Sequence, residues 1–411
     1  MKAPPGPFRS GFWRSPLRGP WLTTVLGTLL LGGVTVVALT GFLSHAAYEP
    51  GLGRNGIVDP SRDLPLGIGW PAAPAWLYAL TQGLHVNVGL ATVPLLLAKL
   101  WSVIPRLFAW PPVTSPAQAI ERASITLLVA SAGFEFATGI INAQNYYPFN
   151  FSFVVAHYYG GVVFIASLAV HIVVKLPVMV RAYRERGGHG LPEPPDPDGL
   201  VARDPAPPTI TRRGLLGFVG AGSGLLLLVN AGQSIGGPLR PLALLAPRGG
   251  DPGPGPNGFH VNKTAAGARI TPEMTGDAYR LVLRSGDRAL RLSRAQLLAM
   301  EQRTETLPIA CVEGWTTTQR WTGVPLATLA GVVGAAGASE LLVESLQPRG
   351  GFRQATLSRT QFGNERALLA LKVNGADLSL DHGFPARVIV PALPGVHNTK
   401  WVGAMTFTGA A

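Results

Sequence analysis

Residues 21–43 read WLTTVLGTLLLGGVTVVALTGFL, a run without a single charge. At about 1.5 Å per helical residue it is long enough to cross the roughly 30 Å hydrocarbon layer of a membrane. Four more apolar stretches follow, at about 74–100, 123–141, 151–180 and 215–235, the last Gly-rich and least hydrophobic. The expected N-terminal half is therefore an α-helical transmembrane bundle of about five helices. The composition agrees: 47% of the 411 residues are hydrophobic and 14% charged, against roughly 25% charged in soluble chains.

The basic residues set the orientation. Lys2, Arg9, Arg14 and Arg18 precede the first apolar run, and Lys99, Arg106 and Arg122 lie between the second and third. Lys175, Arg181, Arg184, Arg186, Arg203, Arg212 and Arg213 lie between the fourth and fifth. The 44–73 loop has only Arg54 and Arg62, offset by Glu49, Asp59 and Asp63, and the 142–150 loop has no charge. This pattern predicts a multi-pass protein of the cytoplasmic membrane, in contact with lipid, with its N-terminus cytoplasmic. Five crossings put everything after about Pro238 outside the cytoplasm. The net charge of +12 is thereby explained by loop asymmetry. It is not gathered into a basic stripe with interleaved aromatics, so nucleic acid is not an expected partner.

Residues 187–213 form a Pro-rich cytoplasmic linker whose composition cannot bury a core. It ends in Thr211-Arg212-Arg213-Gly214-Leu215-Leu216, which resembles a twin-arginine export signal; a basic pair flanking a helix accounts for it equally well. The weakly hydrophobic Gly-rich segment behind it, 214–236, suits the export reading, with twin-arginine and general secretion machinery as partners.

Four histidines fall in or beside the first four apolar runs: His45, His85, His157 and His171. Side chains of this kind within a membrane usually face the bundle interior. Counted from the outer side, His85 lies roughly 15 Å deep and His157 roughly 10 Å deep, a pair that can ligate one haem b. His45, at the outer end of the first run, is a possible substitute. His171 follows His157 by 14 residues, nearly the same helical face and about 21 Å deeper. That spacing resembles two-haem b-type cytochromes, but Lys99 stands fourteen residues after His85 where a second ligand would be needed. One haem b, or none with the imidazoles bonding between helices or to a quinone headgroup, are the two readings. Glu135, mid-run, suits a proton relay or an interhelical hydrogen bond.

After a Pro/Gly-rich linker at 237–258 the texture changes. Short apolar runs at 279–283, 341–344, 367–373, 387–390 and 402–407 are separated by turn residues, and helices are expected at 293–300 and 325–333. Residues 259–411 thus read as a mixed, mainly β domain, and 1–186 as a four-helix cytochrome b-like membrane domain.

Here specific motifs appear. Ile309-Ala310-Cys311-Val312-Glu313-Gly314-Trp315, followed by Trp321-Thr322-Gly323-Val324-Pro325-Leu326, resembles the molybdenum-binding segment of the sulfite oxidase/methionine-sulfoxide-reductase family. Asp381-His382-Gly383-Phe384-Pro385-Ala386-Arg387 resembles its pterin-binding loop, and Val396-His397-Asn398-Thr399-Lys400-Trp401-Val402 its final signature. The sulfite-oxidase form of the Cys motif continues with Gly-Asn-Arg; the run here is closer to the bacterial methionine-sulfoxide-reductase branch, while His382 is what sulfite oxidases carry.

The resemblance implies a molybdopterin cofactor whose metal is held by Cys311. That is also the one cysteine in the chain, and a deprotonated sulfur is the soft ligand molybdenum needs. It implies further that Arg387 and Lys400 hold the anionic pterin by charge-assisted hydrogen bonds, with His382, Asn398 and Thr399 adding donors. Asn262 resembles an upstream cofactor contact, and Ser345 stands where the family places a Thr near the metal. The expected function is oxo transfer on a small substrate or sulfoxide, with electrons exchanged with the quinone pool through the membrane half. A purely anchoring membrane half, and a non-catalytic binding or sensor protein retaining the fold, are the alternatives.

Overall fold

In the computed structural model, residues 3–48, 69–186, 204–247, 252–350 and 352–409 are described. The expected linker at 187–213 lies outside them as far as residue 203, as do Glu49, Arg54, Asp59, Arg62 and Asp63. Each apolar run is a helix: α1 (Pro20–Tyr48), α2 (Leu77–Leu107), α3 (Pro116–Ala143), α4 (Phe153–Arg186) and α5 (Arg212–Ile235). All five are long and apolar enough to cross a membrane. Their starts follow from local chemistry. Pro116 opens α3 behind Ser115, whose side chain accepts from the Gln118 N–H, and Thr211 caps α5 by accepting from the Gly214 N–H at 2.9 Å.

Packing divides the chain into two units, Met1–Leu39 with Leu84–Val229, and Thr40–Gly83 with Asn230–Ala411. In the first, Leu22 and Leu26 of α1 bury against Ala98 of α2 and Val219 of α5, while Val34 meets Ala132 of α3 and Phe164 of α4. The outward faces stay apolar: Leu97, Ile120, Val173 and Phe218 are all exposed. Such a surface is costly in water and suits lipid. Lys99 bonds the Thr23 carbonyl at 2.7 Å.

The second unit is built on two five-stranded sheets. One runs β2 (Arg288–Leu292), β1 (Leu281–Ser285), β10 (Val402–Thr408), β5 (Glu340–Ser345) and β6 (Gln354–Ser358), antiparallel throughout except where β1 lies parallel to β10. The other runs β3 (Arg303–Ala310), β4 (Thr316–Pro325), β7 (Leu368–Val373) and β8 (Ala376–Asp377), with β9 (Arg387–Ile389) also on β7. Short helices α6 (Ala265–Ala268), α7 (Pro272–Thr275), α8 (Arg294–Ala299), α9 (Leu326–Val332) and α10 (Arg359–Phe362) join them. The expected helices at 293–300 and 325–333 are α8 and α9; Ser293 and Gln296 cap α8 reciprocally. Within this unit, Ala46, Ala47, Tyr48, Trp70 and Tyr78 bury in the same core as Leu281, Leu283, Leu341 and Met405. Residues from the first hundred therefore help to close the C-terminal domain.

Candidate active site

Strand β3 delivers Cys311 to a tight turn. The Cys311 N–H donates to the Trp315 carbonyl at 2.9 Å, and the Gly314 N–H donates to the Cys311 carbonyl at 3.0 Å. Gly314 has φ +95°, which a residue with a Cβ adopts only under strain. The sulfur is buried and receives the Asn262 Nδ2–H at 3.0 Å. Two side chains from distant sequence hold the turn: Gln82 Nε2 donates to the Val312 carbonyl at 2.6 Å, and the Ser234 hydroxyl to the Gly314 carbonyl at 2.5 Å. The 394–398 turn lies alongside, with Ala310 bridged to Pro394. At Gly395 a Cβ would lie 3.1 Å from the Ala310 carbonyl oxygen, so this approach favours glycine.

That second turn and strand β9, paired to it through the Val388 N–H and the Thr399 carbonyl, carry a cluster of buried polar groups. Asn398 Oδ1 accepts the Val390 N–H at 2.7 Å, which fixes the amide and points its nitrogen elsewhere. Among the described residues, Arg387 Nε, His397 Nδ1, Asn398 Nδ2 and Thr399 Oγ1 are buried atoms without a hydrogen-bond partner. Buried polar groups are rarely left so in a native fold, and several together mark a place for a polar ligand. Arg387 lies over the Trp321 ring at 5.6 Å and gives one long bond, 3.3 Å, to the His382 carbonyl. No ion pair involves it among the described residues. Burial pushes its pKa down to about 9. Burial also lowers His397 to about 4. His382 is lowered to about 4 by burial first and the nearby Arg387 next. Both imidazoles are neutral at pH 7.

The remaining expected residues have structural partners. Lys400 Nζ donates to the Lys263 carbonyl, and to that of Asp381 at 2.8 Å, and lies over the Trp401 ring at 4.6 Å. Ser345 donates to the Lys400 carbonyl at 2.8 Å and accepts from the Gln347 N–H. His382 has both nitrogens engaged, Nδ1 with the Ser379 hydroxyl at 2.8 Å and Nε2 with the Phe259 carbonyl at 3.0 Å. Thus Arg387, Asn398 and Thr399 keep buried polar atoms without partners among the described residues, Asn262 is engaged with Cys311, and Ser345 and His382 brace the neighbouring loops. His397, Gln82 and Ser234 join the site without being expected there from sequence. His397 lies inside the quoted signature; nothing local marks the other two.

In the helical unit, His85 and His157 come together, ring centroids 6.2 Å apart and planes at 89°. His85 Nδ1 meets the Val37 carbonyl at 2.9 Å. His157 Nδ1 lies 3.0 Å from Thr138 Oγ1 and 3.2 Å from Glu135 Oε2. With each Nδ1 so engaged, Nε2 is the nitrogen left for a metal, the usual arrangement of ligating histidines. Two metal–nitrogen bonds of about 2 Å plus the half-widths of two imidazoles span about 6 Å, so the separation fits a shared ion. His171 is half-buried further along α4, and His45 is half-buried near the end of α1 in the other unit. Arg212 also has a structural role, since its guanidinium donates to the carbonyls of Pro16, Leu17 and Arg18 at 2.9–3.2 Å.

Comparison with known proteins finds a family for the C-terminal domain and several partial relatives. Residues 268–411 match the family model for the oxidoreductase molybdopterin binding domain. The mitochondrial sulfite oxidase of Homo sapiens is 32% identical over 166 residues, covering 33% of this chain and 30% of that one. A putative protein-methionine-sulfoxide reductase subunit, YedZ1 of Azospira oryzae, is 30% identical over 120 residues, 28% of this chain and 43% of that one. Among solved structures, the sulfane dehydrogenase SoxCD from Paracoccus pantotrophus matches with a TM-score of 0.30 and 23% identity, covering 32% of this chain and 38% of that chain. The chain spans less than half the length of each of these curated relatives. The C-terminal domain is therefore a molybdopterin-binding domain of the oxidoreductase kind. Over part of its length the chain is thus similar to sulfite oxidases and to YedZ1, and a helical part precedes the domain.

Proposed function

We propose that this chain is a membrane-anchored molybdoenzyme whose C-terminal domain works outside the cytoplasm. It catalyses oxo transfer on a small substrate or sulfoxide and exchanges electrons with the quinone pool through a haem b in the helical bundle. The observation that carries the reading is a buried thiol, donated to by Asn262, beside the 394–398 turn, where Asn398 and Thr399, with Arg387 of the adjacent strand β9, have buried atoms that lack partners among the described residues. When bound, the molybdenum cofactor supplies the two-electron oxo-transfer chemistry; the protein holds and tunes it.

Cys311 would be the protein's sulfur ligand. The Asn262 N–H withdraws charge from that sulfur and favours its thiolate form. Arg387 would meet the anionic part of the pterin and end its own isolation, and Asn398 and Thr399 would add neutral hydrogen bonds. Lys400, tied to two carbonyls, contributes positive charge nearby and pins the 381 and 263 loops. Ser345 and His382 keep those loops in place, and the buried Trp321 and Trp401 back the Arg387 and Lys400 cations with their rings.

For the haem, His85 and His157 are the proposed ligands, with Val37, Thr138 and Glu135 orienting their rings. Lys99 donates to Thr23 rather than leaving a second ligand position, which favours one haem over two. The five apolar helices, the exposed apolar faces and the basic residues flanking the spans support a multi-pass anchor with its N-terminus cytoplasmic. Export of a cofactor-loaded domain would use the twin-arginine route, for which Thr211–Leu216 is the candidate signal.

An optical spectrum and metal analysis of the detergent-extracted protein test the proposal together. A reversible b-type spectrum with about one molybdenum per chain is expected. Molybdenum without haem would leave the membrane half as an anchor, and neither would reject the proposal.

A further inference from the structure

The Cys311 turn is gripped by a residue of α2, and that grip brings a second one with it. Gln82 reaches the carbonyl of Val312, next to Cys311, from the second turn of the helix. Tyr78 stands four residues earlier, on the same helical face and one turn closer to the helix start. It is 1% exposed, with its ring 6.4 Å from Trp70 in an edge-on arrangement. Trp70 is itself pinned by its indole N–H to the Ala392 carbonyl at 2.6 Å. Tyr78 is thus shut off from solvent, yet its hydroxyl has no hydrogen-bond partner among the described residues. Its phenol lies within electrostatic range of both Cys311 and Tyr48, and Tyr48 is 5.9 Å, ring to ring, from His397. His397 carries another such atom in this neighbourhood, Nδ1. Two buried polar groups without partners among the described residues, one from α2 and one from the last turn before β10, thus each lie against an aromatic ring of the same core, Trp70 for Tyr78 and Tyr48 for His397.

We infer that Tyr78 is a residue of the molybdenum site: its hydroxyl donates a hydrogen bond to an oxygen bound at the metal held by Cys311, with the His397 imidazole buried in the same neighbourhood. The inference rests on the reading of Cys311 as the metal ligand. The site is then finished by the N-terminal half of the chain, through Tyr78, Gln82 and Trp70. A burial that isolates a hydroxyl is costly unless a ligand satisfies it, and the neighbouring sulfur says what that ligand is attached to. The donor is neutral, so it suits an oxygen that carries partial rather than full charge.

The test uses the full-length, molybdenum-loaded protein in detergent, comparing wild type with Tyr78→Phe. Molybdenum content is measured first, then the Mo(V) electron paramagnetic resonance spectrum in H2O and D2O. Turnover of dimethyl sulfoxide with a reduced viologen donor is the kinetic probe. The expected result is equal molybdenum, altered g values with loss of a deuterium-sensitive splitting, and a kcat/KM about 10- to 100-fold lower. Loss of molybdenum with an unchanged unfolding midpoint also supports the contact. Equal molybdenum with an unchanged spectrum overturns it while leaving the Cys311 reading intact. Failure of Tyr78→Phe to fold overturns it too, because the hydroxyl would then be serving the fold. A wild-type protein without molybdenum rejects this inference and the proposed function together.

Discussion

Arg387 carries the least intuitive prediction. The guanidinium is 7% exposed, has no carboxylate partner among the described residues, and makes one long hydrogen bond. Burial has lowered its pKa well below the usual guanidinium value, to about 9, so at neutral pH the cofactor-free domain carries an uncompensated buried cation. Replacing even a paired buried charge and its partner by apolar side chains is often neutral or stabilising by about 1–4 kcal/mol, and a buried charge without a partner is costlier still. Arg387→Met should therefore stabilise the cofactor-free protein, by roughly 2–4 °C in Tm for each kcal/mol in a domain of this size. The loaded protein should respond in the opposite sense. A charge-assisted hydrogen bond is worth about 1.5–3 kcal/mol, so cofactor retention should fall roughly 10- to 150-fold. The assay is thermal unfolding in detergent, followed by tryptophan fluorescence, of full-length protein from molybdate-starved and molybdate-fed cells. A variant that is less stable when empty, or that keeps its full molybdenum when fed, would refute the argument that this charge awaits an anion.

Three further outcomes are expected. His382 and His397 both titrate near 4 in the folded chain, against 6.5 for an ordinary histidine. The unfolded chain therefore takes up protons first, and their stabilising contribution, complete above about pH 6.5, is lost as pH falls toward 4. His397→Gln should flatten that acid limb in a pH series of unfolding midpoints; an unchanged limb would count against a buried neutral imidazole. Asn262→Ala removes the N–H donor to the Cys311 sulfur, makes the thiolate a stronger donor, and should lower the molybdenum midpoint potential in a redox titration. Finally, His85→Ala and His157→Ala should each abolish b-type absorbance while His171→Ala keeps it; a spectrum that survives the first two would remove the proposed ligand pair.

Much of this architecture is written in the order of residue types. The five helices end within about seven residues of the apolar runs that announce them, because hydropathy over about twenty residues leaves little choice of structure. Strands β5, β7 and β10 are apolar and lie where alternation predicts them. Strands β3, β4 and β6 have no such local signal. β3 (RTETLPIA) contains Pro308 and too few apolar residues to alternate, and β4 begins with three threonines. Both take their strand form from pairing with each other and, in β4, with β7. The cofactor motifs are legible because they are contiguous. The contacts that finish the site are not: Gln82 and Ser234 are ordinary polar residues near helix ends, and only tertiary folding brings them to Val312 and Gly314. The same holds for the meeting of His85 and His157. Helical depth suggests it, but the Nδ1 partners that leave both Nε2 atoms for a ligand come from α1 and α3.

Everything proposed for the chemistry depends on a bond between Cys311 and molybdenum, and X-ray absorption at the molybdenum edge reads that bond directly. Purified wild-type protein should show a sulfur shell with one more scatterer than Cys311→Ser protein, if the variant retains metal at all. An identical sulfur shell in the two proteins, or wild-type protein from molybdate-fed cells with no molybdenum to measure, would contradict the account.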